Sequence, residues 1–321
     1  MARLETAPPR RIVSFLPSAT EMAFALGLGD QVLGVTHECD YPPAAKTKPV
    51  VVRPVLPIET LSQAEIDVAV TARLRAGQSL YQIDEARLRA MAPDLILTQR
   101  LCAVCAPADQ ELEAALKALE AAPEILWLTP RSMAEVFDNL RDLAKATGTL
   151  ARAEAIIAEG ELRLRRLAAR TAQATRRPRV FCLEWIDPIY RSGHWVPEMV
   201  QIAGGFDELA RLGADSVRIA WADVLTFAPE VLVVTPCGLD LDKTLMEARA
   251  LAARPGWETL PAVQQGRVYA VDANAYFARP GPRLVDGAEL LAHLIHPGLI
   301  GWAGPASAYR RLELDHVASG A

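Results

Sequence analysis

A chain of 321 residues, 51% hydrophobic and 23% charged, holds enough apolar material for about two domains with cores of their own. Its net charge of −5 and pI near 5.7 argue against a nucleic-acid or anionic-membrane partner, since both require a basic face. Five cysteines, an odd number in a chain this long, do not make a disulfide framework, and no apolar run is long enough to span a membrane.

The opening residues, MARLETAPPRRIVSFLPSATEM, lack the apolar run of a secretory signal, so the chain as written is expected in the cytoplasm unless its start lies upstream or a presequence was removed. Residues 11–16 (RIVSFL) form an apolar strand stopped by Pro17, and Ser18 and Thr20 offer caps for a helix that Gly27 and Gly29 end. QVLGVT is a second strand, followed by the polar loop HECDYPPAAKTKP and a third apolar segment, PVVVRPV. The stretch up to Ser79 is harder to read. From Asp84 a helix reaches Pro93 and gives way to the strand DLILT, then to a loop carrying Cys102 and Cys105. A helix near residues 108–122, the strand EILWLT and a helix over residues 132–147 complete the first half.

Residues 149–175 read as one long helix, with Leu150, Ala153, Ile157, Gly160, Leu164 and Leu167 forming a narrow apolar stripe among Arg and Glu. At about 1.5 Å per residue it is roughly 40 Å long, which suits a bridge between two bodies. After it come the strand RVFCLEW, the helix PEMVQIAGG, ADVLTFAPEVLVVTP and the strand RVYAVD. Two pieces repeat: TEMAFALGLGD (20–30) matches PEMVQIAGGFD (197–207), and RLRAMAPDLILT (87–98) matches DVLTFAPEVLVVT (223–235). The expected architecture is α/β, with two Rossmann-like parallel-sheet lobes over residues 1–148 and 176–321 and a backbone helix between them. Such lobes place ligands at the loops after strand C-termini.

RIVSFLPSATEMAFALGLGDQVLGVT resembles the opening of the helical-backbone, or class III, solute-binding proteins that serve ABC importers of cobalamin and iron siderophores. HECDYP, DPIYRSGHWVPEMVQIAGG and YFARPGPRLVDGAELLAHLIHP are most similar to the cobalamin-binding subgroup of that periplasmic binding protein family, and the resemblance covers nearly the whole chain. It implies two α/β lobes joined by one long helix, a ligand clasped with little hinge motion, and an ABC-transporter permease as partner. It also implies that Tyr190 lines the pocket. Docking acids on each lobe would correspond to Asp84 and Glu85 and to Asp223. Members are exported or lipid-anchored, and this chain shows no export signal.

Trp185, Tyr190 and Trp195 crowd into one loop of a chain only 6% aromatic, together with Glu184 and His194. Flat amphipathic side chains suit the faces and edges of a corrin, although Trp185 and Tyr190 could equally pack on their own lobe. His194 could ligate cobalt or donate to an amide. Gln99 and Arg100 follow one strand, and Tyr276, Phe277 and Arg279 follow another, completing the expected mouth; Arg279 could instead brace a turn. Ser18 and Thr20 could present a helix N-terminus to an anion. His37, Cys39, Cys102 and Cys105 offer zinc or iron a ligand set, while the CxxC pair fits a redox-active thiol couple as well. Cys182 and Cys237 read as core.

No nucleophile-base motif, HExxH or Walker loop occurs, so the chain is expected to be a binding protein and not an enzyme. His293 and His296 could form half a metal site or favour a helix C-terminus. The leading expectation is a monomer that holds a corrinoid such as cobalamin and needs no cofactor. The alternatives are an iron-siderophore or metal-chelate binder, and an intracellular corrinoid- or metal-handling protein.

Overall fold

The computed structural model describes residues 8–58, 60–100, 109–117 and 119–313. Contacts divide the chain into two units that change over between Ala158 and Glu159, with residues 62–64 and 131–133 counted to the second. The first unit runs β1 (Ile12–Ser14), α1 (Pro17–Ala25), β2 (Val32–Thr36), β3 (Val50–Pro54), α2 (Gln63–Arg75), β4 (Tyr81–Ile83), α3 (Glu85–Met91), β5 (Leu95–Thr98), α4 (Asp109–Lys117), β6 (Glu124–Trp127) and α5 (Met133–Thr147). Its sheet has the order β4-β3-β2-β1-β5-β6. Ile12, Val13, Leu95, Ile96 and Leu97 are wholly buried, as a central parallel strand covered on both faces requires. Val13, Phe15, Val52, Leu88 and Ile96 share one core, so truncating Leu88 to Ala should cost about 2–5 kcal/mol.

After α6 (Leu150–Thr171), the second unit runs β7 (Val180–Trp185), β8 (Tyr190–Arg191), α7 (Val196–Ile202), β9 (Val217–Arg218), α8 (Trp221–Phe227), β10 (Val231–Val234), α9 (Leu241–Ala248), α10 (Pro261–Gln264), β11 (Val268–Val271), α11 (Ala273–Tyr276), α12 (Leu284–Ile295) and β12 (Tyr309–Arg311). The sheet order is β12-β11-β10-β7-β8-β9. Both sheets are mixed, not purely parallel: β4 is antiparallel to β3, β8 to β7, β9 to β8 and β12 to β11. The reason is plain at β7–β8, where residues 186–189 are too few for a crossover and allow only a hairpin.

The internal repeat is a repeated joint. In β1-β5-β6 and in β7-β10-β11 three parallel strands stand in the same order. The helix before the middle strand ends on an alanine in the left-handed conformation, Ala92 at φ 42° and Ala228 at φ 48°. Proline follows, then an acid. Asp94 accepts the N–H groups of Arg10 and Arg11, and Glu230 accepts that of Arg179. Arg11 Nε donates to the Ala92 carbonyl at 3.0 Å, and Arg179 Nε to that of Ala228 at 2.9 Å. Each Ala-Pro-acid sequence thus closes a helix, starts a strand and pins the arginine that opens the neighbouring strand.

α6 begins after Gly148, whose φ of +71° lets the chain turn out of α5. Ala153, Ile157, Gly160, Leu164 and Leu167 are buried, as the stripe predicts, while Leu150, the first residue of the helix, is 42% exposed. An arginine fastens each half. Arg152 Nε donates to the Ala25 carbonyl at 2.6 Å, and Arg163 meets Asp286 and Glu289 at 2.6 Å each. The helix stops at Thr171, short of residue 175, where the chain tightens into turns from the Gln173 N–H to the Arg170 carbonyl and from the Ala174 N–H to the Thr171 carbonyl, and the Thr171 hydroxyl donates to the Ile202 carbonyl.

Candidate ligand-binding site

On the first unit, Gln99 and Arg100 follow β5, as expected for a strand-end loop. Gln99 is buried, and the Arg100 guanidinium lies over the Trp127 ring at the end of β6, 3.7 Å from its centroid. The Arg100 N–H is fixed by the Thr129 hydroxyl at 3.1 Å. Ser18 and Thr20 are buried inside the first turn of α1 and do not cap it: the N-cap is Leu16. The Thr20 hydroxyl instead lies 3.3 Å from the Leu16 carbonyl and 3.1 Å from Cys39 Sγ. Burial takes both side chains away from any anion in solvent.

Cys39 Sγ also stands 3.6 Å from the Thr36 hydroxyl, and the His37 ring packs 6.4 Å from that of Tyr81. No metal-ligand cluster occurs among the described residues, and Cys102 and Cys105 lie outside them. Cys182 is fully buried as expected; Cys237 is only half-buried.

On the second unit the hairpin β7–β8 carries Glu184, Trp185 and Tyr190 half-buried at its turn. Trp185 Nε1 donates to the Asp187 carbonyl at 3.1 Å. Arg218, across on β9, donates from Nε to the Tyr190 hydroxyl at 2.9 Å and lies 5.7 Å from its ring centre. Trp195 is 4% exposed and donates to the Phe277 carbonyl at 2.8 Å, while Phe277 is 2% exposed. These two aromatics are therefore interior groups in this structure and present no face to solvent, a correction to their expected place at the mouth. An indole nitrogen that already has a buried carbonyl partner has little reason to leave it.

His194 sits in the left-handed region, φ 53°, a conformation rare for a residue of its size. It is held there by two reciprocal bonds, its own N–H to the Ala214 carbonyl and the Gly213 N–H to its carbonyl. Gly193 must be glycine, since a Cβ would lie 2.4 Å from the Ala214 oxygen. His194 Nε2 is 3.4 Å from Asp215, whose carboxylate also accepts from Arg131 at 2.9 Å. Burial lowers the imidazole's pKa, with Asp215 opposing and Arg131 adding to the effect, so the ring is neutral near pH 7.

Tyr276 lies edge-on to Trp302, 5.9 Å between ring centres, and lines a concavity of about 600 Å³ with Arg163, Arg166 and Arg170 of α6. Arg279 is 9% exposed. His293 is engaged at both nitrogens, by the Ile300 carbonyl and the Tyr309 hydroxyl, and His296 by the Gly204 carbonyl, which removes them as a half-site for metal. Asp84 accepts the Arg87 N–H, and Asp223 accepts that of Ala220, so the two units each carry one half of a capping box at equivalent helices. Glu85 is exposed beside a groove of about 590 Å³ along β3 and β4. Residues absent from the sequence reading are Trp127, Thr129, Arg131, Asp215 and Arg218. Only Trp127, in EILWLT, was visible there as a strand-end aromatic.

Two α/β units built on the same joint, with a long helix that carries the chain from one to the other, have the class III solute-binding architecture. The chain belongs to the periplasmic binding protein family, whose model matches residues 12–275, and it is a solute-binding protein, not an enzyme. It is 28% identical over 299 residues to an uncharacterized ABC transporter substrate-binding lipoprotein, YvrC, of Bacillus subtilis, covering 90% of this chain and 81% of the relative. It is 25% identical over 285 residues to the vitamin B12-binding protein of Vibrio cholerae, covering 88% and 87%. A periplasmic heme-binding protein from Pseudomonas aeruginosa shares the fold, with a TM-score of 0.69 at 22% identity over 91% of this chain and 94% of that one. No helix of the described residues is long and apolar enough to cross a membrane.

Proposed function

We propose that the protein binds a corrinoid at its strand-end loops and delivers it to an ABC-transporter permease outside the cytoplasm. One observation carries the reading: arginine-on-aromatic pairs, Arg100 on Trp127 in one unit and Arg218 on Tyr190 in the other. In the first unit the cation covers the Trp127 ring and in the second it stands by Tyr190, so each pair sets a cation at an aromatic group, which fits a macrocycle whose rim bears amide oxygens. The vitamin B12-binding relative supports that ligand. The same chemistry accepts heme, whose rim is anionic, so heme is the second ligand to test. His194, neutral near pH 7, is the candidate nitrogen donor to the ligand or to its metal. Glu85 and Asp223 on equivalent helices are the proposed permease contacts.

Calorimetry with aquo- and cyanocobalamin, followed by visible spectroscopy, tests this. A saturating heat and a thermal shift are expected, with ligand at about 100 Kd adding about 2.7 kcal/mol to stability. Silence with both cobalamins at high micromolar concentration, alongside tight binding of heme, would transfer the reading to heme. Silence with cobalamins, heme and ferric siderophores would end it.

A further inference from the structure

The C-terminal half of α6 carries a basic face that the strand-end pairs do not use. Arg163, Arg166, Leu167 and Arg170 stand at i, i+3, i+4 and i+7, which puts all four on one side of the helix. They form one wall of the concavity of about 600 Å³ that Tyr276 also lines, and its other walls are α12 and the loop over residues 300–305. Every lining residue belongs to the second unit, and none of them is Arg100, Trp127, Tyr190 or Arg218. Small-molecule sites span about 300–1,000 Å³, and this hollow falls within that range.

Its charges are not balanced. Arg163 meets both oxygens of Glu289, from Nε at 3.0 Å and from Nη2 at 2.6 Å, and Nη2 also meets Asp286 at 2.6 Å. Those are the two carboxylates of the lining, and one guanidinium holds both. Arg166 is exposed and makes no hydrogen bond or ion pair among the described residues. Arg170, also exposed, donates from Nη2 to the Leu299 carbonyl at 2.7 Å, which leaves Nε and Nη1 for other acceptors. Two cations one helical turn apart thus stand in the wall with no acid of the lining to answer them.

The loop wall is aromatic and held in place. The N–H groups of Leu299 and Ile300 both donate to the His296 carbonyl at 2.9 Å, and His293 Nδ1 lies 2.8 Å from the Ile300 carbonyl. Trp302 Nε1 donates to the Pro305 carbonyl at 2.9 Å, and the indole lies on Gly304, where a Cβ would come within 2.1 Å of the ring. Its N–H is thereby satisfied, and what half-buried Trp302 has left to offer is its ring. Leu167 and Ile300, both buried, add apolar lining. We propose that this concavity binds a small organic anion, a phosphate or carboxylate whose flat apolar body lies along Trp302 and whose charged end is held by Arg166 and Arg170. Guanidinium groups match such oxygens with paired, charge-assisted hydrogen bonds. An inorganic ion would leave most of the hollow unfilled, so the body counts as well as the charge. A free organic phosphate and the headgroup of an anionic lipid present the same chemistry.

Calorimetry on the full chain with 1-naphthyl phosphate tests this, with inorganic phosphate and 1-naphthol as its separate halves and sedimentation with phosphatidylglycerol vesicles as the lipid arm. Naphthyl phosphate should saturate and bind at least about tenfold more tightly than either half. Arg166→Glu should weaken it at least about tenfold, while the melting temperature stays within roughly a degree or two because this side chain has no partner to lose. Arg166→Lys, which keeps the charge without the paired donors, should fall between the two. Vesicle binding that Arg166→Glu abolishes would assign the site to a lipid headgroup, and naphthyl phosphate bound with vesicles ignored would assign it to a free anion. Binding of neither probe at millimolar concentration, or binding that Arg166→Glu leaves unchanged, would overturn the proposal. So would a parallel loss of cobalamin or heme affinity in Arg166→Glu, which would make the concavity part of the chelate site. If no chelate binds while naphthyl phosphate does, the proposed function fails and this site stands.

Discussion

Tyr190 is held from two directions, by the hairpin that presents it and by Arg218, whose guanidinium both bonds its hydroxyl and sits by its ring. The phenol is thereby fixed before any ligand arrives, and the ordering cost is met in folding. Arg218→Ala should weaken chelate binding about 3–10-fold, corresponding to the roughly 0.5–1.5 kcal/mol of an aromatic contact, and leave the melting temperature within a degree or two because Arg218 is exposed. A matching loss is expected for Trp127→Ala. Calorimetric affinity paired with a thermal melt checks both, and an unchanged affinity would remove these pairs from the site. The aromatic density around Tyr190 was legible in the sequence because it is local. Arg218 was not, since it reaches Tyr190 only through the β8–β9 pairing, which two-residue strands do not announce.

At the scale of elements, the strands that alternate with helices were legible because buried parallel strands are continuous apolar runs. β4, β8, β9 and β12, each three residues or fewer, have no period to read, and with them went the mixed character of both sheets. The Ala-Pro-acid repeat was visible as letters, and its meaning is physical. Burial raises the Glu230 carboxyl, but the Arg179 N–H and the charges of Arg179 and Arg176 outweigh it and leave its pKa below the ordinary value. A depressed carboxylate stabilises the fold above its unfolded pKa and loses that contribution as pH falls through the folded value. Glu230→Ala should therefore cost about 1–3 kcal/mol at pH 7, by leaving the Arg179 N–H without its partner, and progressively less on acidification below pH 4.5. Urea unfolding of parent and variant at pH 7 and pH 3.5 measures it. An equal gap at both pH values would show that packing, not the charged acceptor, is responsible.

For the molecule as a transport component, the two units matter because each offers a carboxylate at the start of the helix before its middle strand. In a parallel α/β layer such a helix runs against the strand it precedes, so its N-terminus lies on the side of the strand C-termini, where the proposed ligand loops are. Asp84 and Asp223 already have work there as caps, and replacing either by Ala would cost about 0.5–2 kcal/mol whether or not a permease exists. The informative variants keep the cap and remove only charge. Asp223→Asn retains an oxygen for the Ala220 N–H, and Glu85→Gln changes an exposed residue outside the cap bond. The double variant Glu85→Gln, Asp223→Asn should bind ligand and melt as the parent does, yet bind the transporter in nanodiscs at least tenfold more weakly, with the difference shrinking as salt is raised. Rim charges act mainly on association, so the loss should appear in the on-rate. Parent-like transporter affinity at low salt would remove these two acids from the docking face and leave them as helix-end charges.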